Sequence, residues 1–231
     1  ITAVTAQNTL DVSVVAVMPH SLVRAQIDAV LSDIGADAIK IGMLANPQIC
    51  AVVAEALKDV NIPIVLDPVM VSTSGSQLLD GAALQILKTQ IIPLATVITP
   101  NLPEFDVLAQ LTDGQEDQRS DAALRLAEQY NVAVLVKDGH GASAEIEDVL
   151  IENGEETRFT SPRLSSDNTH GTGCTLSTAI ACGLAKGQDL KTAVQYARDF
   201  VFEGIRSAPG LGKGHGPLNF LQSKKPSASE R

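Results

Sequence analysis

Several things are scarce in this chain, and each scarcity excludes something. Basic residues are outnumbered: 17 Lys and Arg face 27 Asp and Glu, for a net charge of -10. A chain that wraps a nucleic-acid backbone needs a basic stripe, so nucleic acid is not the expected partner. The apolar runs stop far short of a membrane span, and no membrane association is expected. No basic segment precedes an apolar core at the N-terminus, so no signal peptide is read there. The three cysteines, Cys50, Cys174 and Cys182, form no CxxC and leave one over. That count suits a reducing, cytoplasmic setting.

Three catalytic signatures are also missing. No segment fits the phosphate loop G-x-x-x-x-G-K-[ST]; "GLGK" at 210–213 has Ser207 where the first glycine belongs. No G-x-G-x-x-G follows the first strand-like run, which disfavours a dinucleotide site. No G-x-S-x-G nucleophile elbow occurs.

What is present is an alternation. The 231 residues are 45% hydrophobic, enough for one large α/β domain. Strand-like apolar runs stand at 1–6, 37–44, 62–70, 96–100 and 132–137. Helical spacing fills 21–34, 46–60, 80–92, two stretches between 103 and 130, then 174–186 and 189–207. Ser21 is read as the cap of the first helix, Asn46 with Pro47 as the start of the second. Residues 146–160 read as a β-hairpin turning at Asn153-Gly154. The pattern predicts a mainly parallel sheet with helices on both faces. There is no linker and no repeat, so residues 1–220 form a single domain and 221–231 a polar C-terminal tail.

Ligands of such sheets sit at the carboxyl ends of the strands. Polar residues punctuate those ends: Gln7, Gly42-Met43, Asp67, Asn101 with Glu104, and Lys137. In "HGTGC", Gly171 and Gly173 let successive N–H groups turn toward one space at a helix start, which makes an anion nest. The same glycines also suit a plain loop entering a helix. Cys174, read as the first helical residue, sits where a thiolate is favoured; a small buried hydrophobe is the other reading. Asn101 and Glu104 could reach a magnesium ion or its waters, or could simply cap a helix. Lys137 suits a phosphate contact or a strand-end lysine, and Asp67 a metal or phosphate site or a turn.

In this order, "ITAVTAQNT", "IKIGML", "VLDPVMV", "VITPNLPE", "VLVKDGH", "NTHGTGC" and "GHGPLN" resemble the ribokinase-like superfamily. Within it they are most similar to the hydroxymethylpyrimidine/phosphomethylpyrimidine kinases of thiamine biosynthesis. The resemblance implies ATP-dependent phosphorylation of 4-amino-5-hydroxymethyl-2-methylpyrimidine and then of its monophosphate, with ATP and Mg2+ as cofactors and a homodimer as the assembly. It assigns Gly171, Thr172 and Gly173 to the anion hole and Cys174 to the base. Lys137, with Asp67 and Thr172, falls to the ATP phosphates, and Asn101 with Glu104 to the magnesium ion. Gln7, Thr5 and Met43 fall to the pyrimidine. It further implies that a βα unit of the family precedes Ile1 and is missing from this chain. Two positions depart from the family pattern. Thr73 stands where a lysine is expected, and Asp138 stands where "VKGGH" has glycine, poised to pair with Lys137 or crowd the nucleotide. A pyridoxal kinase of the same superfamily is the near alternative. A thiol hydrolase using Cys174 with His170 or His140, or a non-catalytic small-molecule binder, is the distant one.

Overall fold

The computed structural model describes residues 1–70, 81–139 and 143–221. Thr73, His140 and the tail beyond 221 lie outside the described residues.

Four short parallel strands form the heart of the sheet: β3 (Ile39–Ile41), β4 (Ile64–Leu66), β5 (Val97–Ile98) and β6 (Ala133–Val136). Two antiparallel strands extend it, β7 (Glu145–Glu152) and β8 (Glu155–Pro162), in the order β3-β4-β5-β6-β7-β8. The β7–β8 turn is Asn153-Gly154, with φ of 53° and 78°. A two-residue hairpin of the favoured type needs positive φ at both positions, which Asn and Gly tolerate.

Side chains of a strand alternate between faces, and both faces here are buried. Ile41, Leu66, Ile98, Val134 and Val136 join one apolar cluster. It includes residues of α2 (Pro47–Leu57), α3 (Gly81–Ile86), α4 (Leu102–Ala109) and α5 (Arg119–Tyr130). Val65, Val97, Ala133 and Leu135 point the other way, into a cluster with α6 (Thr172–Ala185) and α7 (Leu190–Arg206). This is the two-sided α/β sheet that the pattern predicts.

Some local expectations change. Helix α1 (His20–Asp33) starts after Pro19 with no side-chain cap, so Ser21 lies inside it. Its inward stripe is Val23, Ile27 and Leu31, while Leu22 and Val30 are exposed. The run at 80–92 passes through a π turn at Leu87–Ile91. The strand at the N-terminus, β1 (Ala3–Gln7), is not in the central sheet. It pairs antiparallel with β2 (Val12–Val17), for which the sequence reading had no strand. This ribbon is mostly exposed on both faces, so it carries no inside–outside alternation to detect. Its ties to the rest of the chain include the Thr2 hydroxyl, which donates to the Met43 carbonyl at 2.7 Å, and the Lys213 and Gly214 amides, which donate to Thr9 Oγ1.

Helices α6 and α7 approach closely at Gly183. A Cβ there would lie 2.7 Å from Ala193 Cβ, and Ala193 is fully buried. Alanine improves the helix by up to about 1 kcal/mol, but overpacking costs roughly 1–3 kcal/mol. Gly183→Ala is therefore expected to lower stability by about 1 kcal/mol in urea unfolding; a stabilised variant would show that the helices have room to spare.

Candidate active site

The parallel register aligns the strand ends. The Asp67 amide donates to the Ile41 carbonyl, Thr99 to Leu66, and Lys137 to Pro100, so the residues leaving β4, β5 and β6 stand side by side. Asp67 is 2% exposed and Lys137 8%. Their side chains form an ion pair, Nζ to Oδ1, at 3.0 Å. Burying two charges is costly unless each is paired and its remaining lone pairs are satisfied. Here the Thr99 hydroxyl donates to Asp67 Oδ1 and the Ser177 hydroxyl lies 3.3 Å from Oδ2. No sequence motif marks either hydroxyl. Ser177 falls one helical turn after Cys174, and Thr99 two residues before Asn101, but only the strand register brings both to Asp67.

The glycine loop closes over this pair. Gly171 is the N-cap of α6 with φ 79°, a left-handed conformation that glycine adopts without steric cost. The helix begins at Thr172, two residues earlier than the sequence reading placed it. Cys174 is therefore its third residue rather than its first, still within the turn whose N–H groups lack intrahelical partners. Cys174 is exposed. A Cβ on Gly173 would stand 3.3 Å from Lys137 Nζ and 3.8 Å from Asp67 Oδ2. The first turn of α6 thus rests on the buried ion pair at Gly173, while the Thr172 amide donates to the Thr169 carbonyl at 3.3 Å.

Asn101 and Glu104 make a reciprocal cap at the start of α4. Asn101 Oδ1 accepts from the Glu104 amide and Glu104 Oε2 from the Asn101 amide, each at 2.9 Å. The capping reading is therefore realised. It does not exhaust the carboxylate, which is buried beside Lys137 and Asp67. Burial pushes the Glu104 carboxyl above its usual range, against the pull of the Asn101 amide and the Lys137 ammonium.

The ribbon brings the remaining residues to the other side of the nest. Gln7 Nε2 lies 3.5 Å from His170 Nε2, and the Thr5 hydroxyl is 3.4 Å from Gln7 Oε1. The His170 amide donates to Gly216, and the Thr169 hydroxyl lies 3.2 Å from His215 Nδ1. Met43 is half-buried at the exit of β3. Among the described residues no histidine hydrogen-bonds Cys174, and His170 is engaged with Gln7. Asp138 does not pair with Lys137; its carboxylate faces Arg163, Nη2 to Oδ2, at 3.7 Å.

The chain as a whole has known relatives. The family model described as phosphomethylpyrimidine kinase matches residues 1–219. The chain belongs to that family. Its curated relatives include the hydroxymethylpyrimidine/phosphomethylpyrimidine kinase of Streptomyces coelicolor, 44% identical over 95% of this chain and 81% of the relative. The thiamine biosynthesis bifunctional protein ThiED of Geobacter sulfurreducens is 41% identical over 96% of this chain, which spans 45% of that longer protein. Among solved structures, the phosphomethylpyrimidine kinase of Clostridium difficile is 36% identical with a TM-score of 0.74, covering 89% of this chain and 84% of that one. The pyridoxal kinase of Staphylococcus aureus, solved with AMP-PCP and pyridoxal, is 27% identical with a TM-score of 0.84, covering 95% and 80%. The fold is ribokinase-like, as the sequence motifs imply, and this chain is a phosphomethylpyrimidine kinase family member by sequence as well as by shape.

Proposed function

We propose that this chain transfers a phosphoryl group from ATP to 4-amino-5-hydroxymethyl-2-methylpyrimidine and then to the resulting monophosphate. The observation that carries the reading is the first turn of α6, glycine-lined and seated on Lys137 and Asp67. Phosphoryl transfer asks for positioning and charge neutralisation at one point. Amides of Gly171 and Gly173 face the moving phosphoryl group, and that of Thr172 joins them on leaving the Thr169 carbonyl. The Lys137 ammonium supports the ATP phosphates. Cys174 Sγ takes the proton from the hydroxymethyl oxygen as that oxygen bonds to the γ-phosphorus and the bond to ADP breaks. Gln7, steadied by His170 and Thr5, presents its amide to the pyrimidine edge, and Met43 packs on the ring.

Magnesium fits the donors present. Two buried carboxylates, Asp67 and Glu104, offer hard oxygens but no full cage, and magnesium favours one or two carboxylates, waters and substrate phosphates. Glu104 and Asn101 would hold it through water, and when bound it neutralises phosphate charge. Because glutamine also serves in a capping box, Glu104→Gln separates the two roles of that residue. Its melting temperature is expected to stay close to that of the parent. The magnesium concentration for half-maximal activity should rise roughly tenfold or more; an unchanged magnesium requirement would leave Glu104 a cap only.

The higher structural similarity to a pyridoxal kinase favours pyridoxal as a second acceptor to try. ADP release is the deciding assay, with the hydroxymethyl pyrimidine, its monophosphate and pyridoxal offered separately. Turnover of pyridoxal alone would overturn the assignment. Exposed Val4, Val14, Val15 and Val17 on the ribbon support a homodimer, and three cysteines with no CxxC suit a cytoplasmic setting.

A further inference from the structure

The residue after the phosphate lysine is an acid, and the structure shows what restrains it. Arg163, directly after β8, donates from Nε to the Ser143 carbonyl at 2.7 Å. It also donates from Nη1 to the Gly139 carbonyl and from Nη2 to the Asp138 carbonyl, both at 3.1 Å. The same Nη2 faces Asp138 Oδ2 at 3.7 Å, with both side chains only about a quarter exposed (24% and 22%). From beneath, the Asp138 amide donates to Asp148 Oδ1 at 2.8 Å. Asp148 is itself clamped by Arg198, whose guanidinium also lies over the Phe159 ring. Arg119 contributes positive potential toward Asp138, but its guanidinium is committed to Asp106 in a two-point pair. Arg163 is therefore the one cation, among the described residues, that contacts both the backbone and the carboxylate of Asp138.

We infer that Arg163 is a positioning residue that screens the Asp138 carboxylate from the nucleotide. The inference rests on the reading of Lys137 as the ATP-phosphate lysine. With Arg163 in place, the acid is neutralised and the peptide after Lys137 is pinned from two sides. Without it, a half-buried negative charge stands one residue from the site of three or four phosphate charges, in a region where like charges repel more strongly than in water.

The experiment is a double-mutant cycle read in steady-state kinetics. Arg163→Gln keeps a donor for the carbonyls but loses the charge. It is expected to raise KM for ATP roughly tenfold, with kcat and the pyrimidine KM changing less than twofold. Added salt should shrink the defect. Arg163→Lys should stay near the parent. Asp138→Asn in the Arg163→Gln background should restore most of the ATP affinity, because the repelling charge is gone; loss of the carbonyl contacts alone would not be relieved this way. Asp138→Asn alone, made in case Arg163→Gln folds poorly, should leave KM for ATP near the parent value. An unchanged KM in Arg163→Gln, no rescue by Asp138→Asn, or a large gain from Asp138→Asn alone overturns the screening role. Absence of ADP release from the unmodified chain would instead overturn the function it rests on.

Discussion

Cys174→Ala is expected to lower kcat for the hydroxymethyl pyrimidine about a hundredfold to ten-thousandfold, the usual contribution of a positioned general base. KM for ATP should move little, since the thiol is exposed in the first turn of α6 and supports neither the ion pair nor the amides beneath it. A base acts mainly in the transition state, and its loss appears in kcat. The second transfer should suffer less. Its nucleophile is a phosphate oxygen, and a phosphate monoester with a second pKa near 6 is already largely deprotonated at neutral pH. The ratio of first to second transfer rates in the variant is thus more telling than either rate alone. Equal losses in both steps would mean that Cys174 shapes the nest rather than moves a proton, and unchanged rates would remove it from the mechanism.

Lys137→Met is expected to damage both stability and activity. The substitution keeps an unbranched side chain, one atom shorter, but leaves the 2%-exposed Asp67 without its cation. Breaking a buried pair from one side costs about 3–5 kcal/mol, and the hydroxyls of Thr99 and Ser177 offset only part of that. For a chain of this size the melting temperature should fall on the order of 10 °C. Activity should fall roughly a hundredfold to a thousandfold, as for other preorganised groups facing developing charge. The companion variant Lys137→Met with Asp67→Asn distinguishes the two effects. With both charges removed, and an amide left for Thr99 and Ser177, most of the lost stability should return while activity does not. If activity returned with stability, the lysine would be a structural partner only.

Much of this site could be read from the chain. Asn46 and Asn101 ahead of prolines, the Asn153-Gly154 turn and the buried apolar strands are local signals, and each forms the element it predicts. Asp67, Asn101 and Lys137 converge because parallel strands share a direction, so their carboxyl ends share an edge; Gln7 arrives instead on the separate antiparallel ribbon. Local signals are silent where the deciding contact is distant or two-sided. Lys137 pairs with Asp67, seventy positions away, rather than with adjacent Asp138, because the β4–β5–β6 register sets the Asp67 partnership and Arg163 takes the acid. Strand β2 has no buried face to impose a period. The helix at Thr172 starts early because Gly171 turns through a left-handed φ, allowing Thr172 to enter helical geometry at once.

The most direct measurement is product identity over time. The chain is incubated with ATP, magnesium and 4-amino-5-hydroxymethyl-2-methylpyrimidine, and the mixture is followed by phosphorus NMR or mass spectrometry. The account predicts a monophosphate that rises and then gives way to the pyrophosphate, with ADP formed in step with each transfer. ATP hydrolysed to free phosphate with the pyrimidine unchanged, or a pyrimidine left untouched while pyridoxal is phosphorylated, would contradict it.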